Sequence, residues 1–381
     1  MPASPGTSAP TATAVTGWVP ARTRVAPTDA EGLRVRVHKV LEEFLARQTD
    51  TLEAVSPDCA PLVDSVAELM RGGKRLRPAF CYWGWRGAGG QDGEGIVAAA
   101  TSLEFFQAAA LIHDDVMDDS DTRRGKPAVH RRFATLHRGA GWVGDGERFG
   151  LAGAVLAGDL CLVWSDQMFS ASDLAPERLT RGRPVFDRMR TELMGGQYLD
   201  MLEQAVSARY PDGNVERARR VITYKSAKYT VEHPLLLGAC LAGADDALLA
   251  TYSGYGLPLG EAFQLRDDVL GVFGDPAETG KPAGDDLREG KRTVLVAKAL
   301  EHASPAQANL VRRLLGDPGL DTVGVQALRE VIVDTGALAA VERLIDARVE
   351  TAQQALDAGT VAEPARSILA GLIGAATARA A

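Results

Sequence analysis

Apolar residues recur at helical spacing along almost the whole chain. Leu33, Val37, Val40, Leu41 and Phe44 form one stripe, and Leu62, Val63, Val66, Leu69 and Met70 form another. Residues three and four apart share a face of a helix, so each stripe predicts an amphipathic helix with one face to bury. The alternation expected of strands does not persist beyond about four residues. Breakers separate the stripes: Gly72-Gly73, Gly87 to Gly90, the glycine-rich run from Gly139 to Gly150, Pro211-Asp212-Gly213 and Asp317-Pro318-Gly319. The intervals suit helices and hairpin loops, not βαβ units. The pattern predicts an all-α fold, with stacked long helices in a single domain over residues 29–381. Residues 1–28 are rich in Pro, Ala, Ser and Thr and lack the basic start and apolar segment of a signal peptide. They are expected to form a disordered tail.

Composition narrows the function more than the fold. With 381 residues, 46% apolar, the chain can bury a large core without staples. A formal net charge of −8 argues against a general nucleic-acid binder. The longest apolar run, Phe149 to Gly158, stops at Asp159, well short of the ~20 residues that cross a bilayer. No stable membrane insertion is expected. Cys59, Cys81, Cys161 and Cys240 are too scattered for a zinc site or a disulfide framework, which suits a reducing cytoplasm.

The chemistry concentrates at the ends of two apolar helices. The segment 101–113 runs into Asp114-Asp115-Val-Met-Asp118-Asp119, with Asp121 beyond. Asp114 and Asp118 share a helical face, where like charges repel unless a cation joins them. Clustered carboxylates without thiols favour a hard cation such as Mg²⁺, Mn²⁺ or Ca²⁺. Arg123, Arg124 and Lys126 follow at once, and guanidiniums beside metal carboxylates suit a metal–diphosphate complex. Upstream, Gly72-Gly73-Lys74-Arg75-Leu76-Arg77 predicts a glycine loop with Lys74 and Arg77 on one helical face. A second apolar helix carries Gln264, Asp267 and Asp268 on one face and leads into a glycine-rich stretch with Lys281, Arg288, Lys291 and Arg292, as a closing lid requires. Tyr224-Lys225-Ser226-Ala227-Lys228 is expected mid-helix. His130, His137 and His233 read as structural, and His113 as orienting the end of its helix.

Together these motifs resemble the trans-isoprenyl diphosphate synthases, the polyprenyl synthetases, most like those making geranylgeranyl diphosphate. The matching stretches, in the family's order, are GGKRLRP (72–78), LIHDDVMDDSDTRRG (111–125), GDLCL (158–162), GGQYLDM (195–201), KSAKYT (225–230) and the run from 263 to 293. The resemblance implies a bundle of ten or more helices around a central cavity, usually as a homodimer, with two acidic motifs facing each other across its mouth. It implies about three Mg²⁺ bound with an allylic diphosphate, with Asp114, Asp118 and Asp267 as ligands and Asp115 close by. Lys74, Arg77, Gln107 and Arg124 match the residues that hold isopentenyl diphosphate. Arg123, Lys225, Gln264, Lys281 and Lys291 match those on the allylic diphosphate, and Ser226 stands where the family usually has Thr. The implied reaction joins isopentenyl diphosphate head-to-tail to the carbocation released by the allylic partner.

Two departures bear on the site. The second motif lacks its last carboxylate, having Gly271 instead, with Asp275 as a possible substitute; Gln107 stands where His is common. The resemblance further implies that the product grows along the helix before Asp114, with bulky residues there as its floor. Ala109 and Ala110 leave the first turn open, and Phe106 closes the next. One isoprene unit is about as long as a helical turn of about 5.4 Å, so the expected product is the twenty-carbon geranylgeranyl diphosphate. The alternatives are a longer-chain or farnesyl diphosphate synthase, a terpene cyclase of the same fold, or a non-catalytic subunit regulating a partner synthase. A second diphosphate cluster at Lys74 and Arg77 argues against the cyclase.

Overall fold

A computed structural model of the chain describes residues 27–206, 214–275 and 284–377. Lys281 and residues 1–26 of the tail expected over 1–28 lie outside them. Pro27 already belongs to a short helical turn, Pro27–Gly32, so ordered structure begins slightly before the predicted boundary.

The described residues are overwhelmingly helical. The long elements are α1 (Leu33–Glu53), α2 (Ala60–Met70), α3 (Leu76–Gly87) and α4 (Glu94–Met117). A two-residue hairpin, β1 (Thr122–Arg123) paired antiparallel with β2 (Lys126–Pro127), leads to α5 (Val129–Gly139), α6 (Gly146–Ser170) and α7 (Pro176–Ala205). Then come α8 (Val215–Val221), a wide π-helical segment (Ile222–Glu232), α9 (His233–Ala242) and α10 (Asp246–Phe273). The C-terminal part holds α11 (Asp285–Arg288), α12 (Val294–His302), α13 (Pro305–Leu314), α14 (Thr322–Asp334), α15 (Ala337–Ala358) and α16 (Ala365–Thr377).

Local chemistry sets these boundaries. Asp145 caps α6 by accepting from the Glu147 amide at 2.9 Å, and Asp245 caps α10 by accepting from the Leu248 amide at 2.9 Å. Each satisfies an amide that the first turn leaves orphaned. Buried apolar residues form two clusters. The larger joins α1, α3, α4, α6 and α9 with the first half of α10, through Tyr252, Tyr255 and Leu259. The second half of α10, through Leu265, Val269 and Val272, belongs to a cluster with α12, α14 and α15. Helix α10 therefore runs from one core into the other and ends in the acidic motif.

Two findings revise the sequence reading. Lys225 and Ser226 lie in a π-helical segment rather than an ordinary helix, a form that often marks a functional site. Neighbouring helices press closely on it: a Cβ on Gly260 would fall 2.6 Å from Ala227 Cα, and one on Gly196 would fall 2.4 Å from the Lys225 nitrogen. Second, α4 and α6 are long and apolar enough to cross a membrane by length and composition alone. A ten-residue apolar run understated them, because small and polar residues interrupt it without ending the helix. Two thirds of the apolar window of α4 is buried inside the protein, whereas α6 turns Leu151, Val155, Leu156 and Val163 outward.

Candidate functional site

Helix α4 ends in the first acidic motif. Asp118 terminates it, its amide bonded to the Asp114 carbonyl at 2.8 Å, so the two carboxylates remain one turn apart. Arg123, on the hairpin, folds back over the helix end. Its Nε donates to Asp115 Oδ1 at 2.8 Å and its Nη2 to Asp114 Oδ2 at 3.3 Å. Asp115 is buried under that guanidinium. Burial would raise the Asp114 pKa, but Lys225, Arg123 and Lys291 together bring it down to about 2. Asp118 moves the other way, to about 6, through burial and the neighbouring Asp114 charge. Its Oδ2 is buried and accepts no hydrogen bond.

Three other elements meet this helix end. Lys225 Nζ, from the π-helical segment, lies 2.9 Å from Asp114 Oδ1 and 2.5 Å from Asp200 Oδ2 of α7. Gln197 Nε2, also on α7, donates to Asp114 Oδ1 at 2.9 Å. Lys291, beyond α11, places its ammonium 4.0 Å from Asp118 Oδ2, 3.4 Å from Asp286 Oδ1 and 2.5 Å from Glu289 Oε2. Burial disfavours that charge, yet Asp286, Glu289 and Asp118 raise its pKa well above the ordinary lysine value. Ser226 Oγ, from the π-helical segment, donates to Gln264 Oε1 on α10 at 2.6 Å, and Gln264 Nε2 donates to Asp268 Oδ1 at 2.8 Å. Asp268 is buried and its pKa is driven up, first by burial and then by Asp286 and Asp267, against the Gln264 hydrogen bond. Asp267 is exposed on the same helix end. The Lys291 charge acts on both Asp114 and Asp268, so both acidic motifs look onto one region.

The basic side is built differently from the sequence expectation. Helix α3 starts at Leu76, so Lys74 lies in the loop before it and does not share a helical face with Arg77. Arg75, in left-handed backbone (φ 54°), breaks that register. Its guanidinium turns inward to pair with buried Glu104 and donates to the Met70 carbonyl at 2.6 Å. Arg77 stacks on Tyr229, 3.9 Å from the ring centroid, and donates to Thr230 Oγ1 at 2.8 Å. Arg124 donates to the Leu69 carbonyl at 3.0 Å, with its guanidinium 3.6 Å from where a Gly73 Cβ would be. Buried Gln107 Oε1 accepts no hydrogen bond. Arg75 therefore takes the nearby carboxylate, while Arg77 Nε is left buried without a partner.

Of the length-determining candidates, Phe106 and Ala109 expose no surface, and Phe106 packs edge-on against Tyr229, centroids 5.9 Å apart. Ala110 is half-buried. His113 packs into a close approach made by Gly158, and His233 is buried beside Glu192. Gln197, Asp200, Glu104 and Asp286 were not singled out from the sequence. For Gln197 and Asp200 a signal existed in GGQYLDM: two polar residues at helical spacing within a recognised motif. Asp275, offered above as a possible substitute for the lost carboxylate, lies exposed just beyond the end of α10; the carboxylate lying against Gly271 is that of Asp286.

A hard divalent cation fits this donor set. The donors are carboxylate oxygens, and Asp118 Oδ2 is an unbonded buried one. Among the described residues no group of three or more His, Cys, Asp or Glu encloses a metal alone. Mg²⁺ typically takes one or two carboxylates and completes its shell with water and phosphate oxygens.

Known proteins resemble this chain over most of its length. Residues 60–332 match the family model described as polyprenyl synthetase. A geranylgeranyl diphosphate synthase from Sulfolobus acidocaldarius is 31% identical over 282 residues, 73% of this chain and 78% of that one. Octaprenyl diphosphate synthase from Escherichia coli is 34% identical over 63% of this chain and 66% of its own length. The solved geranylgeranyl pyrophosphate synthase from Corynebacterium glutamicum, complexed with isoprenyl diphosphate and magnesium, is 41% identical with a TM-score of 0.85. It covers 92% of this chain and 98% of its own.

Proposed function

The chain belongs to the polyprenyl synthetase family, and from that premise we propose how its site works. It is a prenyl diphosphate synthase with the isoprenoid synthase fold, condensing isopentenyl diphosphate head-to-tail with an allylic diphosphate. The observation that carries this reading is the division of charge. On one side Arg77 is a half-buried cation whose buried Nε has no partner; on the other, Asp114 and Asp118 of the first acidic motif meet Lys225 and Lys291, and the Lys291 charge also acts on Asp268 of the second.

Asp114, Asp118 and Asp267 would hold about three Mg²⁺ together with the allylic diphosphate. Bound there, the ions supply Lewis-acid stabilisation of the negative charge that develops on the departing diphosphate. Lys225, Lys291 and Arg123 add fixed positive charge at the same end, preorganised by their carboxylate partners. Lys281 takes the same role in this reading. Lys74, Arg77, Gln107 and Arg124 position the diphosphate of the five-carbon substrate. Arg77 is held by its ring stack and by Thr230, which aims the alkene at the allylic carbon. Ser226 and Gln264, locked to each other and to Asp268, present oxygen lone pairs to the carbocation as the C–O bond breaks. The released diphosphate is the base that takes the final proton.

The product is twenty carbons long in this reading, with Ala109 and Ala110 admitting the growing chain and Phe106 stopping it. Relatives making longer products, such as the octaprenyl enzyme, make length the finer question. The enzyme works as a homodimer in the cytoplasm, which the outward apolar face of α6 and four free thiols support. The test is incubation of the purified chain with labelled isopentenyl diphosphate, Mg²⁺ and farnesyl diphosphate. A C20 diphosphate is expected. A cyclic hydrocarbon, or silence until a partner chain is added, overturns the reading.

A further inference from the structure

Arg124 sits in a tight turn that is fastened on both sides. Across the hairpin Arg123 faces Lys126, and Arg124 and Gly125 make the turn between them. Both turn residues are left-handed, with φ of 55° and 72°, as a two-residue hairpin turn favours. Glycine adopts that backbone freely, whereas an arginine rarely does, so surrounding contacts must hold Arg124 in it. Its guanidinium donates to the Leu69 carbonyl at 3.0 Å and lies beside Gly73 of the glycine loop.

One flank of the turn is tied to the first acidic motif, through Arg123 on Asp115 and Asp114. The other flank is tied to α2. Lys126 Nζ pairs with Glu68 Oε1, and Arg71 Nη1 pairs with Glu68 Oε2. Arg71 immediately precedes Gly72-Gly73. One carboxylate thus joins the hairpin to the start of the glycine loop, giving one oxygen to each. Among the residues lining the pocket at this point, Glu68 is the one carboxylate. Without it Arg71, Arg124, Lys126 and Arg132 would share that pocket as like charges, which repel.

We propose that Glu68 is a positioning residue for isopentenyl diphosphate: by holding Lys126 and Arg71 together it sets Arg124 against the glycine loop. The proposal rests on the placement of that substrate at Lys74, Arg77 and Arg124. Glu68 acts through the hairpin and not on the substrate.

The sign of the effect separates this role from that of a bystander charge. Glu68→Gln removes a negative charge near a site for an anion, which by field alone would tighten binding. Lost alignment acts in the opposite direction. Steady-state kinetics of the full chain with Mg²⁺, isopentenyl diphosphate and farnesyl diphosphate test it, alongside thermal unfolding, which an exposed pair should barely move. Glu68→Gln should raise KM for isopentenyl diphosphate by about three- to fivefold, the scale of exposed ion pairs. KM for farnesyl diphosphate and kcat should stay nearly constant. Lys126→Met should behave alike, and the double variant should be no worse than either single one, because both break the same link. Lys126→Arg, which keeps the pair, should match wild type. An unchanged or lowered isopentenyl diphosphate KM in Glu68→Gln, or an equal rise for both substrates, overturns the proposal alone. A wild-type chain that makes no product from these substrates overturns the functional reading, and the proposal with it.

Discussion

Arg77 illustrates what a single residue contributes. It keeps its charge although burial works against it, with Tyr229 and Glu104 as the opposing influences. A guanidinium in that position gains a charge-assisted bond when an anion arrives. Arg77→Gln should therefore raise KM for isopentenyl diphosphate by about 10- to 100-fold with little change in kcat, since a lost bond to a charged group is worth about 1.5–3 kcal/mol. Steady-state kinetics decide it, and an unchanged KM rejects the placement. His233 makes a stability prediction. Burial lowers its pKa from the usual 6.5 to about 4, despite Glu192 nearby, with Lys228 and Arg188 adding to the shift. Between those values the unfolded chain binds a proton that the folded chain refuses, so stability falls as pH drops through the window. The loss reaches about 2 kcal/mol at pH 5. His233→Gln should flatten the melting temperature between pH 7 and pH 5 relative to wild type; parallel curves would reject it. At this scale Asp114, Asp118 and Asp267 were legible, because charges that end an apolar helix are conspicuous. Asp200 and Gln197 were not, since polar residues along a half-exposed helix look like solvated surface until Lys225 and Asp114 are seen against them.

Among elements, the π-helical segment matters most to the site. Periodicity cannot reveal it, because apolar spacing barely changes over a single widened stretch. The close approach of Gly260 is what the segment leans on. Gly260→Ala would push a methyl to 2.6 Å from both Ala227 Cα and the Ala227 carbonyl oxygen. Overpacking of that kind costs about 1–3 kcal/mol, so a lower melting temperature and slower turnover are expected together. Normal activity with a normal melt would show that the segment adapts. Helix α4 offers the test of product length. Ala109 is fully buried one turn from Phe106, and Ala109→Phe should shorten the main product below C20 on a chromatogram. A C20 product from that variant rejects the floor model. The first helix register of the basic motif was misread for a plain reason: Arg75 adopts left-handed backbone so that its side chain can reach Glu104, and nothing local in GGKRLRP announces that pairing.

For the whole molecule, α6 presents an uncovered apolar face. Val155, Leu156 and Val163 are 45%, 56% and 62% exposed, an apolar surface that a second copy of the chain would cover. Leu156→Asp with Val163→Asp should shift sedimentation from dimer to monomer and lower the melting temperature. A wild-type chain that sediments as a monomer removes that proposal. The helical class and the order of the motifs were set by the sequence itself, because helical periodicity and carboxylates at helix ends are local properties. Which charges meet was decided only by tertiary structure. Arg75 is consumed by Glu104 and Arg123 by Asp115, while the Asp286 carboxylate lies against Gly271. Such pairings depend on where remote helices place their ends, and spacing along a chain carries no record of distance across it.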